Sequence, residues 1–310
     1  MQKIDSFLWF DNHAEEAVNF YISIFSQDAG LSLIKDNSKI TNITYYSEEA
    51  AKAARRQPGT VMIVSYELAG LKFIALNGGP LFKFSPSVSF FVSCETEEEI
   101  NLLWKNFSQG GIIRMELVKY PFSEKFGWVE DKFGVSWQLN LKKHSQKILP
   151  FLWFGSNAEE AMLFYTSVFS SIGYNNSVKT DSKILRLERF GTGETKPVRT
   201  VKHAEFVLNG QNFMAMDNST DPFTPAQSFL VNCDTQEEVD TLWEKLSDGG
   251  KKDQCGWLKD KYGLSWQIVP TALGKFMSSA DPEKSGRVMK ALLQMTKIEI
   301  VELQKAYEQE

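Results

Sequence analysis

The chain has 310 residues, of which 43% are apolar and 24% charged, and its formal net charge is −5. This length exceeds the usual size of one domain core, so two domains are expected. A mildly acidic chain without clustered Lys and Arg argues against nucleic-acid binding. No stretch resembles a signal peptide or approaches the roughly 20 apolar residues that span a bilayer. We therefore expect a cytoplasmic protein with neither a membrane nor a nucleic-acid partner.

The first elements are a strand, a helix and three further strands. IDSFLWF (4–10) alternates and is rich in aromatic residues, as in a half-buried strand. Asn12-x-x-Glu15 forms a capping box, which predicts a helix from about 13 to 26, and Ser156-x-x-Glu159 is its counterpart later in the chain. Three strands are then predicted at 38–47, 60–68 and 71–77. A tight hairpin across Ala69-Gly70 joins the second and third of them.

The same order then restarts with VSFFVSC (88–94), which is typical of a strand. Thr96-x-x-Glu99 and its later counterpart Thr235-x-x-Glu238 are again capping boxes, and each predicts the start of a helix. The phrase GWVEDKFGVSWQ (127–138) predicts a closing hairpin, with Gly134 free to adopt a positive φ in its turn.

This plan occurs twice in the chain, and the second copy is shorter after the position of Gly111. A strand, a helix and several strands, performed twice per copy, predict the α+β class with tandem units, each a pair of βαβββ modules. We place the units at 1–143 and 147–270, and a helical tail at 271–310. The matching phrases are 7–25 with 151–169, 94–111 with 233–250, and 127–138 with 256–267.

The tail carries helix signals of its own. Asp281 caps and Pro282 opens one helix, and Thr296-x-x-Glu299 caps another. Because an amphipathic pair of helices must cover an apolar surface, we expect the tail to pack across the two units or against a second subunit.

Four features carry a family resemblance: the opening FLWF…AEEA…FY, the stretches 58–80 and 82–99, and the repeated GW…DK.G.SWQ phrase. Together they resemble the PhnB-like, or 3-demethylubiquinone 3-methyltransferase, domains of the vicinal oxygen chelate (glyoxalase/bleomycin-resistance) superfamily. The resemblance covers almost the whole chain. It implies that the strands of each unit curl into a mixed sheet, or cup, around a small-molecule pocket.

The resemblance also identifies positions where a metal would bind. Metal-using relatives such as glyoxalase I hold a divalent ion with four His, Glu or Gln ligands, which converge on one open-sided Lewis acid. Here only the last pair of positions carries a plausible ligand, so we predict no metal site of the glyoxalase type. The aligned positions are Asp5 and Leu149, Ala75 and Ala215, Ser89 and Ser228, and Gln138 and Gln267.

Other catalytic patterns are weak. A methyltransferase that uses S-adenosylmethionine normally needs a glycine-rich turn between a strand and a helix, whereas FGTGETKP (190–197) is typical of a hairpin loop. The three cysteines and three histidines lack ligand or catalytic spacing, so we expect reduced, mostly buried thiols and histidines that are solvated or structural. The sequence therefore predicts no cofactor.

Strand alternation decides which side chains face the predicted cup. If Gln138 faces it, Trp137 faces the helices, and the same count points Trp9 into the cup and Leu8 away from it. A buried glutamine must be hydrogen-bonded, either by a neighbouring strand or by a ligand. The candidate ligand-binding residues are Trp9, Asn77, Ser89, Phe91, Trp128, Gln138, Trp153, Asp217, Ser228, Trp257 and Gln267.

Three functions follow from these patterns. The first is binding of a small apolar or aromatic molecule without a metal, which the aromatic cup faces favour. The alternatives are a metal-dependent lyase, isomerase or dioxygenase of the glyoxalase type, and the methyl transfer that the family name implies. The duplication predicts a pseudo-dimer within one chain, and a homodimer is a further expectation.

Overall fold

The computed structural model describes residues 3–26, 38–172, 182–279 and 281–309. The first repeat supplies eight strands and three helices to the described part of the chain. Its strands are β1 Ile4–Phe10, β2 Lys39–Tyr45, β3 Val61–Leu68, β4 Leu71–Asn77, β5 Val88–Cys94, β6 Ile112–Tyr120, β7 Ser123–Glu130 and β8 Ser136–Leu141. Its helices are α1 Ala14–Phe25, α2 Glu48–Ala54 and α3 Glu97–Ser108.

The second repeat follows the same order, and three helices complete the chain. Its strands are β9 Ile148–Trp153, β10 Lys183–Arg189, β11 Val201–Leu208, β12 Gln211–Met216, β13 Gln227–Cys233, β14 Lys251–Lys252, β15 Trp257–Lys259 and β16 Ser265–Pro270. The helices are α4 Ala158–Ser170, α5 Gln236–Ser247, α6 Thr271–Met277, α7 Pro282–Leu292 and α8 Ile300–Glu308. In the described ranges, no helix is long and apolar enough to cross a membrane.

The strands form two mixed sheets of eight strands, which confirms the predicted α+β class. Their orders are β14-β15-β16-β13-β1-β4-β3-β2 and β10-β11-β12-β9-β5-β8-β7-β6. Antiparallel pairing of β1 with β13 puts Asp5 opposite Leu230, and pairing of β5 with β9 puts Phe91 opposite Leu149. Each sheet therefore joins the first module of one repeat to the second module of the other, a detail that the sequence did not show.

We call the concave face of the first sheet the Asp5 cup and that of the second sheet the Leu149 cup. The curl is visible in contacts between strands that are not neighbours. Trp9 of β1 and Trp257 of β15 lie three strands apart, or about 14 Å in a flat sheet. Their ring centroids are nevertheless only 6.1 Å apart.

The helix-side cores follow the repeats instead of the sheets. One cluster runs from Leu8 to Ile148 and includes Tyr21 and Trp137. The other consists almost entirely of second-repeat residues and includes Trp266. Each sheet combines modules of different repeats, and each helix-side core combines modules of the same repeat. Both repeats therefore contribute to both cups.

Two of the four predicted capping boxes are confirmed. Thr96 Oγ1 accepts a hydrogen bond from the amide of Glu99 at 3.2 Å, and Thr235 at the start of α5 does the same. The boxes predicted at Asn12 and Ser156 are wrong, because α1 and α4 begin after His13 and Asn157 without a side-chain cap from these residues.

The C-terminal tail packs across both repeats, as predicted. Helix α7 contacts α2 of the first repeat, and α6 contacts β16 of the second. Asp281 caps α7 by accepting from the amide of Glu283 at 3.0 Å, as expected. Helix α8 instead has Glu299 as its N-cap, so the cap predicted at Thr296 is wrong.

The tail lies where the second repeat lacks a wall. The first repeat has the long β6–β7 hairpin, whereas its counterpart β14 has two residues. There the tail supplies backbone acceptors: the amides of Cys255 and Gly256 donate to the carbonyls of Met295 and Thr296 at 2.8 and 2.7 Å. Cys255 stands in place of Phe126, and its Sγ lies 3.5 Å from the carbonyl oxygen of Leu292 in the tail.

The cysteines provide a simple check of this packing. Cys94 and Cys233 are fully buried, and burial raises the pKa of each thiol to about 12. Because the thiolate is the reactive form, we expect a thiol reagent at pH 8 to modify at most Cys255 in the native protein, and all three cysteines after unfolding. Rapid native labelling of Cys94 or Cys233, located by peptide mapping, would contradict the structure.

Candidate functional site

The floor of the Asp5 cup is formed by β1 and the strands beside it. Leu8 and Phe10 belong to the helix-side core, so alternation places Asp5, Phe7 and Trp9 on the concave face, as predicted. Their neighbours on that face follow from the strand registers. These are Lys72, Ile74 and Leu76 on β4, Ser228, Leu230 and Asn232 on β13, Gln267 on β16 and Trp257 on β15.

The repeated glutamines are buried in the two cups and are bonded by a neighbouring strand. Gln138 Nε2 donates to Ser89 Oγ at 2.8 Å, and Gln267 Nε2 donates to Ser228 Oγ at 3.0 Å. The four candidates thus form two matched pairs. In each pair the Nε2 group of the glutamine is used by the serine, so a ligand could bond to the glutamine through its amide oxygen.

The four candidate tryptophans form two pairs, each with one ring from either repeat. Trp9 lies 6.1 Å from Trp257 in the Asp5 cup, and Trp128 lies 5.1 Å from Trp153 in the Leu149 cup. A Cβ atom at Gly78 would lie 2.1 Å from the Trp9 indole, so glycine is required there for the ring to reach its place. Module exchange between the repeats is what brings each pair together.

Asn77 and Asp217 have a structural position instead. Asn77 Oδ1 accepts from the amide of Ala14 at 2.9 Å, and Asp217 Oδ1 accepts from that of Ala158 at 2.8 Å. They therefore cap α1 and α4 from the ends of β4 and β12, in place of the predicted capping boxes. The structure does not bring these two candidates together with the cup residues.

The Leu149 cup is filled by its own side chains. Phe91, a predicted candidate, packs there with Leu149 in a buried cluster. The cluster also contains Phe126, Trp128, Phe151 and Met214. In the Asp5 cup both Trp9 and Trp257 are partly exposed, whereas in the Leu149 cup Trp153 is partly exposed and Trp128 is buried. The Asp5 cup therefore has the more exposed pair of tryptophans.

Asp5 also faces this cup, although the sequence did not identify it as a ligand-binding residue. Asn232 Nδ2 donates to its Oδ2 at 2.9 Å, whereas its Oδ1 is buried without a hydrogen-bond partner. Burial raises the pKa of the Asp5 carboxyl, and the nearby charge of Lys72 lowers it. The signal was present in the sequence, because the same position in the other repeat is the apolar Leu149.

The repeated DK.G.SW phrase has a role beneath the cups. Asp131 accepts from Tyr21 Oη at 2.7 Å and from Trp137 Nε1 at 2.9 Å. Its other oxygen accepts from the amides of Phe133 and Val135 at 2.8 and 3.0 Å. Asp260 forms the equivalent network with Tyr165, Trp266, Tyr262 and Leu264. These carboxylates fix the closing turn and the helix above it, and they do not face a cup.

The donor set does not fit an ion of the glyoxalase type. Ala75 and Ala215 lie in the helix-side cores, so the implied second position is wrong, and Lys72 and Ile74 face the Asp5 cup from that strand. Leu230 lies beside Asp5 on the next strand. In the part of the chain that the structure describes, no three His, Cys, Asp or Glu residues are grouped to hold a metal.

The glycine-containing segment 190–197 is a hairpin loop, as predicted. It connects β10 to β11, with the amide of Arg199 donating to the carbonyl of Phe190 at 2.9 Å. No helix follows it within the described second repeat before α5. The loop thus lacks the strand-to-helix geometry with which proteins hold nucleotide-like cofactors.

A separate groove of 740 Å³ lies between the β3–β4 and β11–β12 turns and the linker. Its lysines are already paired: Lys143 lies 3.1 Å from Glu95, and Lys147 is paired with Glu99. The groove is open and lined largely by turn residues. These ion pairs hold the segment 143–147 between the repeats. We therefore take the Asp5 cup as the candidate site.

Comparisons with known proteins agree with this architecture. The family model described as 3-demethylubiquinone-9 3-methyltransferase matches residues 2–140 and 146–269. The PhnB protein of Bacillus cereus is 42% identical over 45% of this chain and 98% of its own, with a TM-score of 0.38. Glyoxalase I of Zea mays is 11% identical over 86% of this chain and 90% of its own, with a TM-score of 0.52, and this likeness shows the fold. Among curated proteins, none matches the chain.

Proposed function

The chain belongs to the 3-demethylubiquinone-9 3-methyltransferase family, and on this premise we propose that it binds a small molecule in the Asp5 cup. The observation that carries the proposal is the partly exposed Trp9–Trp257 pair above buried polar groups. Small-molecule sites are typically concave, apolar and aromatic, with a few converging polar groups that fix orientation. The polar groups available here are Asp5, Ser228 and Gln267.

The two alternative functions have weaker support. Chemistry of the glyoxalase type needs a set of four metal ligands, whereas of the four aligned positions of this cup Ala75 lies in the helix-side core and Ser228 is bonded to Gln267. Methyl transfer needs a cofactor cradle, and the 190–197 segment is a hairpin loop. Binding without either group therefore remains the better-supported proposal.

A matched pair of variants tests where ligands bind. We expect ligand-observed NMR with a library of small aromatic fragments to give hits on the wild type. Trp257→Ala should abolish most of these hits, because removal of the ring opens the wall of the Asp5 cup. Trp128→Ala, the counterpart in the filled Leu149 cup, should retain them. Such stacking contacts contribute about 0.5–1.5 kcal/mol beyond area burial, which decides whether a weak fragment is detected.

Two results would count against the proposal. Hits that survive Trp257→Ala but disappear in Trp128→Ala would move the site to the Leu149 cup. A native mass that exceeds the denatured mass by one divalent ion per chain would restore the glyoxalase-type alternative.

Two further predictions accompany this function. We propose that residues 1–143 and 147–270 are the units of the chain, with 271–310 as the tail. We also propose that the two cups of one chain take the place of the two cups of a dimer, so that a homodimer is not required for a complete site.

A further inference from the structure

Asp5 is the most unusual polar group in the Asp5 cup. Its side chain is only 9% exposed. Oδ2 is bonded to Asn232, whereas Oδ1 is buried without a partner. A buried carboxylate oxygen without a donor costs free energy, so natural structures almost always supply one. The missing donor points to a molecule that enters the cup.

The charges around Asp5 are mixed. Lys72 on β4 lowers the pKa of the Asp5 carboxyl, and Glu67 on β3 raises it. Both residues belong to the row that crosses the sheet at Asp5, since Glu67 pairs with Lys72 in the β3–β4 register. Lys39 on β2 pairs in turn with Glu67, so the row contains two carboxylates and two ammonium groups. The row has no net charge, and the preference for a ligand that donates a hydrogen bond comes from the unpaired Oδ1 of Asp5 itself.

The walls on the other side are flat rings. Phe7 and Trp257 lie 5.5 Å apart at 86°, and Trp9 and Trp257 lie at 76°. Rings in edge-to-face contact pack against each other at these distances, so a planar aromatic guest would lie on the partly exposed faces of Trp9 and Trp257. Because Phe7 and Asp5 are two residues apart on one strand, the rings and the carboxylate face the same space.

The Leu149 cup provides an internal comparison. It has Leu149 in place of Asp5, Asn212 in place of Lys72 and Ser93 in place of Asn232. Its interior is occupied by a buried apolar cluster. The unpaired carboxylate oxygen and a tryptophan pair with both rings partly exposed thus occur together in the Asp5 cup.

We infer that the Asp5 cup selects planar aromatic ligands that present an N–H or O–H donor, preferably on a cationic group, to Asp5 Oδ1. The inference rests on the proposed function and adds the class of ligand. The ring of the ligand lies against Trp9 and Trp257, and its donor completes the hydrogen bonding of Asp5. An anionic group in the same place brings no donor and lies against the Asp5 carboxyl, so anionic rings of the same shape bind more weakly.

The test compares benzamidine, benzoate and benzyl alcohol, which share a ring and differ in charge. We expect ligand-observed NMR to show benzamidine binding most tightly and benzoate most weakly. Asp5→Leu, which installs the residue of the other cup, should weaken benzamidine binding at least about 10-fold, since hydrogen bonds to charged groups are the stronger class. Asp11→Asn removes a carboxylate at the exposed end of β1 and should leave benzamidine binding unchanged.

Asp5→Asn keeps the shape of the side chain and guards against loss of folding, which a thermal melt monitors. It should abolish the preference for benzamidine over benzoate. An unchanged preference in both Asp5 variants, or equal binding of the two probes to the wild type, would overturn this inference while leaving small-molecule binding intact. Failure of all three probes and of the fragment library would instead contradict the proposed function. Asp5-dependent binding of Mg²⁺ or Zn²⁺ would show that Oδ1 is a metal ligand and would also overturn the inference.

Discussion

Asp131→Asn is expected to lower the free energy of unfolding by about 3 kcal/mol, because one carboxylate satisfies four donors. An asparagine has one acceptor oxygen instead of two. If its NH₂ group replaces Oδ2, it meets the indole N–H of Trp137; if it replaces Oδ1, it meets the amides of Phe133 and Val135. Either arrangement leaves buried donors without acceptors.

The measurement is urea denaturation followed by circular dichroism, with Asp260→Asn as the matched variant in the second repeat. Tyr21→Phe removes one hydrogen bond and should cost about 1 kcal/mol. Because the two residues are in contact, the cost of Asp131→Asn should be smaller in the Tyr21→Phe background. Costs below about 0.5 kcal/mol for both aspartate variants would show that the network does not hold the turn.

Which side chains of a strand face the cup was predictable from the sequence, because it depends only on the alternation of neighbouring residues. Leu8, Phe90 and Trp137 lie in the helix-side core as the period of two requires. Once one residue of a strand is assigned to a face, every other residue follows. The candidates Ser89, Gln138, Ser228 and Gln267 were placed on the cup faces for this reason, and the structure pairs them there.

The exchange of modules was not predictable from the same patterns. Strand β1 pairs with β13 of the second repeat instead of β5 of the first. Strands β5 and β13 have similar sequences. An edge that accepts one of them also fits the other, so local sequence does not choose between pairing within and between repeats. Choice of partner depends on chain connections and on the helix-side cores, which are long-range properties.

Two other misses have the same origin. The caps of α1 and α4 come from Asn77 and Asp217, about 60 residues further along the chain. The sequence therefore showed a local capping box where the fold supplies a distant cap. The resemblance placed Asp5 at a metal position, but the unpaired state of its buried Oδ1 depends on the packing of distant strands, which local sequence patterns do not show.

The second large effect is expected in the tail, where Leu303→Ala should lower the free energy of unfolding by about 3 kcal/mol. Leu303 is fully buried in the cluster that joins α7, α8 and α2. Removal of its side chain leaves a cavity between elements of both repeats. Val301, two residues earlier on α8, is 59% exposed, and Val301→Ala should change stability by less than about 0.5 kcal/mol.

The tail should also protect the shortened hairpin of the second repeat. The amides of Cys255 and Gly256 donate to the tail, so a chain that ends at Pro270 loses their acceptors and exposes the apolar residues of α2. We expect this truncated chain to melt at lower temperature than Leu303→Ala and to exchange these two amides faster. If truncation left both the melting temperature and the exchange rates unchanged, the tail would be an appendage, and the wall of the Asp5 cup would not depend on it.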